Sequence, residues 1–358
     1  MQQVIIDQFS ATVRAAAENS QPLHIRGGGS KSFYGHPLSE HAKILDVSPY
    51  QGITEYEPTE LVITARAGTP LAEIESLLRQ NSQMLAFEPP YFSETATLGG
   101  CVAAGLSGPR RASAGAVRDF VLGVRILDGT GHDLHFGGQV MKNVAGYDVS
   151  RLMVGAMGTL GVLLEVSLKV LPLPAVEQTI CLEMGETEAI EYMNRWAGKP
   201  LSVSATCHVN ERLYMRLSGA ESAVRAAHTQ LGGEAYPAGD AFWKSVREHS
   251  HDFFKPPVPL WRLSVKSTTP PLSLSQTKQL IEWNGALRWL TCPKESPVDT
   301  IRQAAQKAGG HATLFRRHNC AIPVFQELSP ALAGIHQRLK QKFDPAGILN
   351  PGRLYPEF

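Results

Sequence analysis

The pattern of apolar and polar positions changes near Pro172, and the change predicts two regions of different architecture. In the first region, apolar residues recur at helical spacing over residues 8–19 and 70–82, which predicts an amphipathic helix at each. Short apolar runs predict strands over residues 23–26, 42–48, 61–68, 120–136 and 161–173. The fourth run is interrupted by the sequence GTG at 129–131, which predicts a hairpin turn.

Beyond residue 178, helical and strand patterns alternate in a βαββα order. The first round consists of residues 178–184, 186–198, 201–209, 211–219 and 220–233. A second, less regular round consists of residues 260–268, 274–284, 286–293, 297–310 and 312–317, before a closing helix at 329–343. Helices that alternate with antiparallel strands are typical of a ferredoxin-like layer, so the pattern predicts an α+β region with one such layer or two.

The length of the chain favours more than one domain. It has 358 residues, and single hydrophobic cores stop growing beyond about 250–300 residues. We therefore predict a first domain at 1–172, a second at 178–330, and a segment at 331–358 that returns to the first. Hydrophobic residues make up 43% and charged residues 19%, as in folded globular proteins. The net charge of +1 and the absence of runs of like charge predict no nucleic-acid partner.

The five cysteines contain no CxxC pair, which argues against a structural zinc or iron–sulfur site in this chain and fits a reducing compartment. We therefore predict no bound metal. The first residues lack a basic region followed by an apolar core, and no run of 18 apolar residues occurs. The expected location is the cytoplasm, with contact to the inner face of the cell membrane only through partners.

Three consecutive glycines follow the predicted strand at 23–26, in the sequence LHIRGGGSKSFYG. The stretch satisfies neither the GxxxxGK[ST] nor the GxGxxG phosphate-binding pattern. Successive backbone N–H groups in such a turn still form a concavity that binds anions, and Ser30, Lys31 and Ser32 add donors and charge. The stretch is therefore either an ordinary surface turn or a cradle for a diphosphate.

Residues 95–116 are rich in glycine, alanine and serine and poor in large side chains. Ordinary core would fill this space with leucine and isoleucine. Two interpretations remain open: close packing of two backbones, or a shelf of accessible backbone on which a flat heteroaromatic ring lies.

Five motifs now occur in a recognisable order: HIRGGGSKS, ATLGG with GLSG, KNVAGYD, GTLGVLLEVSLKV and FDPAGILNPGR. Together they resemble the vanillyl-alcohol-oxidase/PCMH-type FAD-binding flavoproteins, and among these the smaller FAD subunits of bacterial glycolate oxidases. The resemblance is dense over 23–172, sparse over 178–330 and specific again at 343–353. It implies an α+β fold with a PCMH-type FAD-binding domain of two subdomains and a ferredoxin-like cap domain.

The resemblance also implies which residues bind FAD. The pyrophosphate would be wrapped by Gly27, Gly28, Gly29, Ser30, Lys31 and Ser32. The ribityl chain and the isoalloxazine would be held by Thr97, Gly99, Gly100, Gly105, Ser107 and Gly108. The adenine side would meet Gly161 and Val162, and Asn350 would return to the flavin. Covalent relatives use a His or Cys as tether, commonly where this chain has Ser30, so noncovalent FAD is expected. We expect Gly28→Val to abolish FAD retention at a modest cost in apoprotein stability.

Oxidation of a 2-hydroxy acid needs a cation for the carboxylate and a group that takes the hydroxyl proton. Weak candidates for the carboxylate are Arg262, Lys266 and Arg316, each of which is equally compatible with a solvated strand edge. Catalytic relatives carry a HxGDGNxH-like stretch that this chain lacks, and Met157 stands where they usually have Glu. The catalytic residues therefore stay unknown.

Two further groups carry side chains that can take part in chemistry. His249 and His251 form the sequence HSH, which we expect to be solvated polar residues at a helix end rather than a metal pair, since a metal needs further ligands. Tyr147 and Asp148 would lie near the flavin by resemblance, with a packing role equally compatible.

The resemblance implies an FAD-binding subunit of a glycolate-oxidising dehydrogenase that converts glycolate to glyoxylate. The implied partners are a larger FAD-containing catalytic subunit and an iron–sulfur subunit that passes electrons to quinone or another acceptor. One alternative is a self-sufficient FAD-dependent dehydrogenase acting on D-lactate or a similar 2-hydroxy acid. Another is a scaffold subunit without catalysis.

Overall fold

A computed structural model of the chain describes residues 2–138, 148–275, 277–292, 298–318 and 322–358. Its helices are α1 (Gln2–Glu18), α2 (Leu71–Gln80), α3 (Leu98–Ala104), α4 (Arg111–Ala114), α5 (Val117–Phe120), α6 (Val149–Leu152), α7 (Glu186–Ala197), α8 (Glu221–Leu231), α9 (Gly239–Arg247), α10 (Val298–Lys307) and α11 (Pro330–Phe343). Its strands are β1 (Leu23–Arg26), β2 (Lys43–Asp46), β3 (Ile53–Glu57), β4 (Val62–Arg66), β5 (Gln83–Met84), β6 (Val121–Leu127), β7 (Asp133–Gly137), β8 (Val162–Lys169), β9 (Leu171–Pro172), β10 (Val176–Glu183), β11 (Val203–Val209), β12 (Arg212–Gly219), β13 (Glu234–Ala235), β14 (Leu260–Ser264), β15 (Lys278–Glu282), β16 (Leu287–Thr291) and β17 (His311–Arg316).

The first region contains a five-stranded antiparallel sheet with the order β3-β4-β8-β6-β7. Its central strand β8 reads VLLEVSLK and is buried along most of its length, as its run of apolar residues predicts. The GTG hairpin is confirmed, because β6 and β7 pair antiparallel on either side of it. Helices α2 and α3 pack on this sheet and complete its core.

A smaller subdomain precedes that sheet and is completed by the end of the chain. Strands β1 and β2 pair in parallel, and α1 packs against them. The backbone N–H of Leu23 donates to Ile348 at 2.7 Å, and that of Asn350 donates to Leu23 at 3.1 Å. The buried Lys340 holds this return in place through its Nζ, which lies 2.7 Å from Asp344 Oδ2. The last residues of the chain are therefore part of the first region.

The two rounds of the second region combine into one eight-stranded sheet, the cap sheet, with the order β13-β10-β12-β11-β15-β16-β14-β17. Strand β11 of the first round pairs antiparallel with β15 of the second and joins the two. Helices α7 and α8 share one core cluster with the sheet, and α10 shares another. The α+β class is thus confirmed, and the sheet extends across both rounds.

The opposite face of the cap sheet lies against the first region. Cluster members from the first region are Tyr34, Leu106 and Met157, and α9 contributes Phe242 and Trp243. Helix α9 has no counterpart in the sequence prediction, and the predicted helix at 8–19 begins earlier, at Gln2. This face and the loops that cover it are where the candidate sites lie.

Candidate cofactor site

Residues 27–32, the glycine turn, follow β1 directly. Ser32 closes the turn, because its backbone N–H and its hydroxyl both donate to the carbonyl of Gly29, at 3.1 and 2.7 Å. Gly29 has φ +70°, a left-handed conformation that glycine adopts without strain. Within the part of the chain that the structure describes, no acceptor takes a hydrogen bond from the amides of residues 28–31. Four consecutive N–H groups are therefore available to an anion.

A second loop, residues 93–97, packs against the glycine turn and accounts for two of its glycines. Thr95 Oγ1 donates to the carbonyl of Gly28 at 2.6 Å. A Cβ on Gly28 would lie 1.4 Å from the Thr95 carbonyl oxygen, and one on Gly27 would lie 2.5 Å from Thr97 Oγ1. The expectation that Gly28→Val costs little stability is therefore wrong, because any Cβ there forces the two loops apart.

On one side of the glycine turn is a cavity of about 100 Å³, the ring cavity. Its floor is one face of α3, formed by Gly100, Ala103 and Ala104, which share a face because they are three and four residues apart. Met157 and Tyr34 form part of its walls. Since no side chain on the α3 face is longer than a methyl group, the floor is a flat and largely apolar surface.

On the other side of the turn is an open groove of about 870 Å³, the outer groove. Its far wall includes Asp46, Ser48, Gln51 and Pro70. The residues that line both the groove and the ring cavity are Arg26, Gly27, Gly28, Gly29, Ser30, Ser32 and Thr97. An elongated ligand can therefore extend from one space to the other across the glycine turn.

Basic groups surround the turn. Arg353, from the C-terminal segment, donates to the carbonyls of His36 and Ser32 at 2.7 and 2.9 Å, and burial lowers its pKa to about 10. Arg26 lines both spaces, and its guanidinium lies only 4.0 Å from Asp46 Oδ2. Burial lowers the pKa of His24, and the nearby arginines lower it further, so this ring is neutral at pH 7. The local charge favours an anionic ligand.

The side chain of Lys31 extends away from the outer groove. Its Nζ lies 3.4 Å from the Tyr91 carbonyl oxygen and 3.3 Å from Ser30 Oγ, and it is 5.7 Å from the centre of the Phe92 ring. Burial lowers the pKa of this ammonium. Lys31 therefore ties the glycine turn to the loop at 91–92 and lines only the ring cavity.

Several predicted cofactor residues have packing contacts instead. A Cβ on Gly99 would lie 2.7 Å from that of Ala67, and one on Gly105 would lie 2.9 Å from the Cα of Gly155. Both glycines allow α3 to approach neighbouring backbone, which is the packing alternative for this section. Neither residue lines the ring cavity or the outer groove.

The remaining predicted residues divide between three places. Gly161 and Val162 are buried, Val162 within the core of the smaller subdomain, and neither lines the ring cavity or the outer groove. Asn350 lines the ring cavity, accepts a hydrogen bond from the Ile25 amide at 2.8 Å and donates to the Met157 carbonyl at 2.6 Å. It thereby joins β1, the loop before β8 and the C-terminal segment.

Ser107 and Gly108 line a third space, the cap cavity, between the first region and the cap sheet. The cap cavity is also lined by Arg262, one of the arginine candidates, and by Glu282, which the sequence did not single out. His249 lines it as well. Its ring stacks on Phe254 with centroids 4.0 Å apart, and burial and nearby arginines hold its pKa well below the usual range. The expectation of a solvated HSH sequence is therefore wrong for His249.

The other candidates lie outside the cap cavity. Lys266 is exposed, because β14 ends at Ser264 and the chain turns away before it. Arg316 lies over the rings of Phe33 and Phe92, at 5.5 and 5.9 Å. Asp148 caps α6 by accepting from the Arg151 amide, and Tyr147 lies outside the described residues.

No three His, Cys, Asp or Glu side chains in the described ranges are grouped so that they could hold a metal ion. None of the helices in those ranges is long and apolar enough to cross a membrane.

Comparisons with known proteins place this geometry in a family. The family model described as an FAD binding domain matches residues 5–137. A crystal structure of p-cresol methylhydroxylase with substrate bound matches with a TM-score of 0.74 and 14% identity, over 98% of this chain and 87% of that one. The fold is therefore that of the PCMH-type FAD-binding flavoproteins.

The sequence comparison is more specific. The chain is 49% identical to the glycolate oxidase subunit GlcE of Escherichia coli (strain K12) over 345 residues, which are 96% of each protein. The glycolate oxidase subunit GlcD of Bacillus subtilis (strain 168) is 29% identical over 175 residues, 49% of this chain and 37% of that protein. The chain belongs to the GlcE family of FAD-dependent oxidoreductase subunits.

The residues around the glycine turn fit FAD. The unpaired amides of residues 28–31 and the charges of Arg26 and Arg353 suit a diphosphate. The face of α3 made of Gly100, Ala103 and Ala104 suits a flat ring system. The amides of the glycine turn and the α3 face adjoin one another, as they must if they bind the phosphates and the ring of one FAD molecule.

Proposed function

We propose that this chain is an FAD-binding subunit of a multi-subunit dehydrogenase that oxidises glycolate to glyoxylate. The observation that carries the proposal is the 49% identity to a glycolate oxidase subunit over 96% of the chain. The assignment is to a subunit because the relative is itself a subunit of a larger assembly.

In this proposal FAD is noncovalent. The amides of residues 28–31, with Ser30 and Arg26, would hold the pyrophosphate, and the α3 face beside Met157 would receive the isoalloxazine. Bound FAD supplies electron transfer in steps of one or two electrons. The chain's own residues would position it and would offset the charge of the two phosphates through Arg26 and Arg353.

The proposed partners are a larger FAD-containing subunit and an iron–sulfur subunit. The chain itself has five cysteines without a CxxC pair, so a cluster that accepts electrons from this flavin would be held by another subunit. We place the complex in the cytoplasm, at the inner face of the cell membrane.

The test starts with the purified chain reconstituted with FAD. It should show a flavin spectrum, and denaturation should release the flavin. Adding glycolate without oxygen should leave the absorbance unchanged for the chain alone and bleach it when the partner subunits are present. Co-purification from the native cell should recover those subunits. Protein that takes up no flavin would refute the proposal.

A self-sufficient 2-hydroxy-acid dehydrogenase is the second candidate. It is favoured by one observation: the half-buried Arg262 and the buried Glu282 both line the cap cavity, and no salt bridge joins Arg262 to a carboxylate among the described residues. Bleaching of the isolated, FAD-loaded chain by glycolate or D-lactate would establish this candidate over the first.

A further inference from the structure

Residues 91–95, the linking loop, lie between the glycine turn and the second region. Thr95 Oγ1 donates to the carbonyl of Gly28 at 2.6 Å, and Lys31 Nζ lies 3.4 Å from the Tyr91 carbonyl oxygen. Residues 93–95 are exposed, so core packing does not fix this part of the chain. The position of the glycine turn therefore depends on contacts at both ends of the linking loop.

The linking loop contains a residue in a strained backbone conformation. Phe92 has φ +58°, in the left-handed region that bulky side chains rarely adopt. Such a conformation is unfavourable and persists only where the surrounding structure holds it. Facing Phe92 is His249, which has φ +52° and a ring whose centre lies 5.1 Å from that of Phe92. The strain is therefore concentrated where the linking loop meets the end of α9.

Glu248, the residue after α9, holds the strained part of the linking loop. Its Oε2 accepts hydrogen bonds from the amides of Tyr91 and Phe92 at 3.0 and 2.9 Å. No other residue in the described ranges accepts from these two amides. The Glu248 side chain is only 16% exposed. Hydrogen bonds from amides to a carboxylate are charge-assisted and stronger than those between neutral groups.

Arg247 keeps this carboxylate in position. Its Nε donates to Glu248 Oε1 at 2.7 Å, which leaves Oε2 for the two amides. The Arg247 guanidinium also lies 5.2 Å from the centre of the Tyr91 ring and 3.9 Å from Glu75 Oε1 on α2. Both residues follow the apolar part of α9, which is buried in the cluster shared with the cap sheet. A packed helix of the second region therefore presents Glu248 to the linking loop.

We propose that Glu248 is a positioning residue for FAD, because it fixes the linking loop that holds the glycine turn in its phosphate-binding conformation. Glu248 lines neither the ring cavity nor the outer groove, so it acts through Tyr91 and Phe92 rather than by touching the cofactor. A cofactor site depends in this way on the residues that support those in contact with the ligand. FAD affinity then depends on the contact between the two regions. The inference goes beyond the proposed function, because it needs FAD binding and no particular substrate.

The experiment is a fluorescence titration of the full-length apoprotein with FAD. Glu248→Ala leaves both amides without an acceptor, so the linking loop relaxes and FAD affinity should fall by about tenfold or more. Glu248→Gln keeps one acceptor oxygen but loses the charge, so its affinity should lie between those of Glu248→Ala and wild type. Glu221→Ala is the matched control, because Glu221 is an exposed residue of α8 that pairs with Arg225. It should bind FAD as wild type does.

A double-mutant cycle separates positioning from a general loss of structure. Thr95→Val removes the hydroxyl that donates to the Gly28 carbonyl, so it should itself weaken FAD binding. If Glu248 acts through the linking loop, the combined variant should bind FAD about as weakly as the weaker single variant, since both changes interrupt the same path. If Glu248→Ala does not fold, the same cycle with Glu248→Gln gives the answer.

Three results would overturn the role of Glu248 and leave the FAD assignment standing. The first is wild-type FAD affinity in Glu248→Ala. The second is equal affinities of Glu248→Gln and Glu248→Ala, which would assign the effect to the pair with Arg247 rather than to the two amides. The third is a double variant in which the two fold-losses multiply, as they do at independent sites. Wild-type protein that takes up no FAD would instead refute the proposed function, and this inference with it.

Discussion

Replacing Ala104 by leucine tests whether the α3 face receives the flavin ring. Ala104 lies on the floor of the ring cavity beside Met157 and Tyr34. Leucine is nearly as good a helix former as alanine, so the helix itself should persist. The three added carbons would occupy part of a cavity of about 100 Å³ and prevent a planar ring from lying on the floor.

The substitution should change the stability of the apoprotein much less than it changes the free energy of FAD binding. Burial of three carbons contributes up to about 2 kcal/mol, and the strain of a larger side chain costs about 1–3 kcal/mol, so apoprotein stability should change little. Loss of roughly 100 Å² of apolar contact with the ring costs about 2.5 kcal/mol at 25 cal/mol per Å². That loss corresponds to an FAD affinity lower by roughly 70-fold.

The assay is a fluorescence titration of apoprotein with FAD, paired with urea unfolding of the apoprotein. Ala226→Leu provides the matched control, since Ala226 is an exposed residue of α8. The control should bind FAD as wild type does. An Ala104→Leu protein with wild-type FAD affinity and unchanged stability would refute the placement of the ring.

Two further predictions concern stability. Glu88 lies 2.8 Å from Arg216 on β12 and 3.5 Å from Arg110 in the first region. Glu88→Gln should therefore lower the free energy of unfolding in urea by roughly 3 kcal/mol, because a buried ion pair loses one partner. A change under about 1 kcal/mol would contradict this. The second concerns His36 Nε2, which accepts from the Val324 amide at 3.0 Å. Burial lowers the pKa of His36, so the unfolded chain takes up the proton first, and stability present above about pH 6.5 should fall as the pH falls below it. His36→Gln should show a shallower slope of unfolding free energy between pH 7 and 5, and an unchanged slope would exclude this contribution.

Local sequence patterns were sufficient for much of the first region. The apolar runs became β1, β2, β4, β6 and β8, and the GTG sequence became the turn between β6 and β7. These elements are specified by residues close in sequence, through strand periodicity and turn chemistry. The order of the motifs also predicts FAD binding from the sequence alone, because each motif is short and contiguous.

Contacts between distant segments could not be read in the same way. Gly28 looked like an open position of an anion cradle, but its lack of a side chain is required by Thr95, 67 residues further along the chain. Arg262 and Lys266 have the spacing of one strand face, yet only Arg262 lies within β14. Glu282 carries no signal in the sequence, because the local pattern of residues 274–284 does not show that β15 pairs with β16.

The same limit applies to buried polar residues. His249 follows α9, a helix whose apolar positions the pattern did not reveal, and its ring is enclosed by Phe254, Trp289 and Phe315. A histidine next to Glu248 and Ser250 reads as solvated in sequence. Only the docking of the cap sheet against the first region shows that it is enclosed.

Amide hydrogen exchange at residues 28–31, measured at millisecond labelling times, tests the central claim most directly. These four N–H groups have no acceptor among the described residues, so they should exchange rapidly in the apoprotein. Saturating FAD should slow their exchange by about tenfold or more, because the two phosphates accept hydrogen bonds from them. Riboflavin, which has the ring but no phosphate, should leave them fast. Unchanged exchange at residues 28–31 in the FAD-saturated protein would contradict the account.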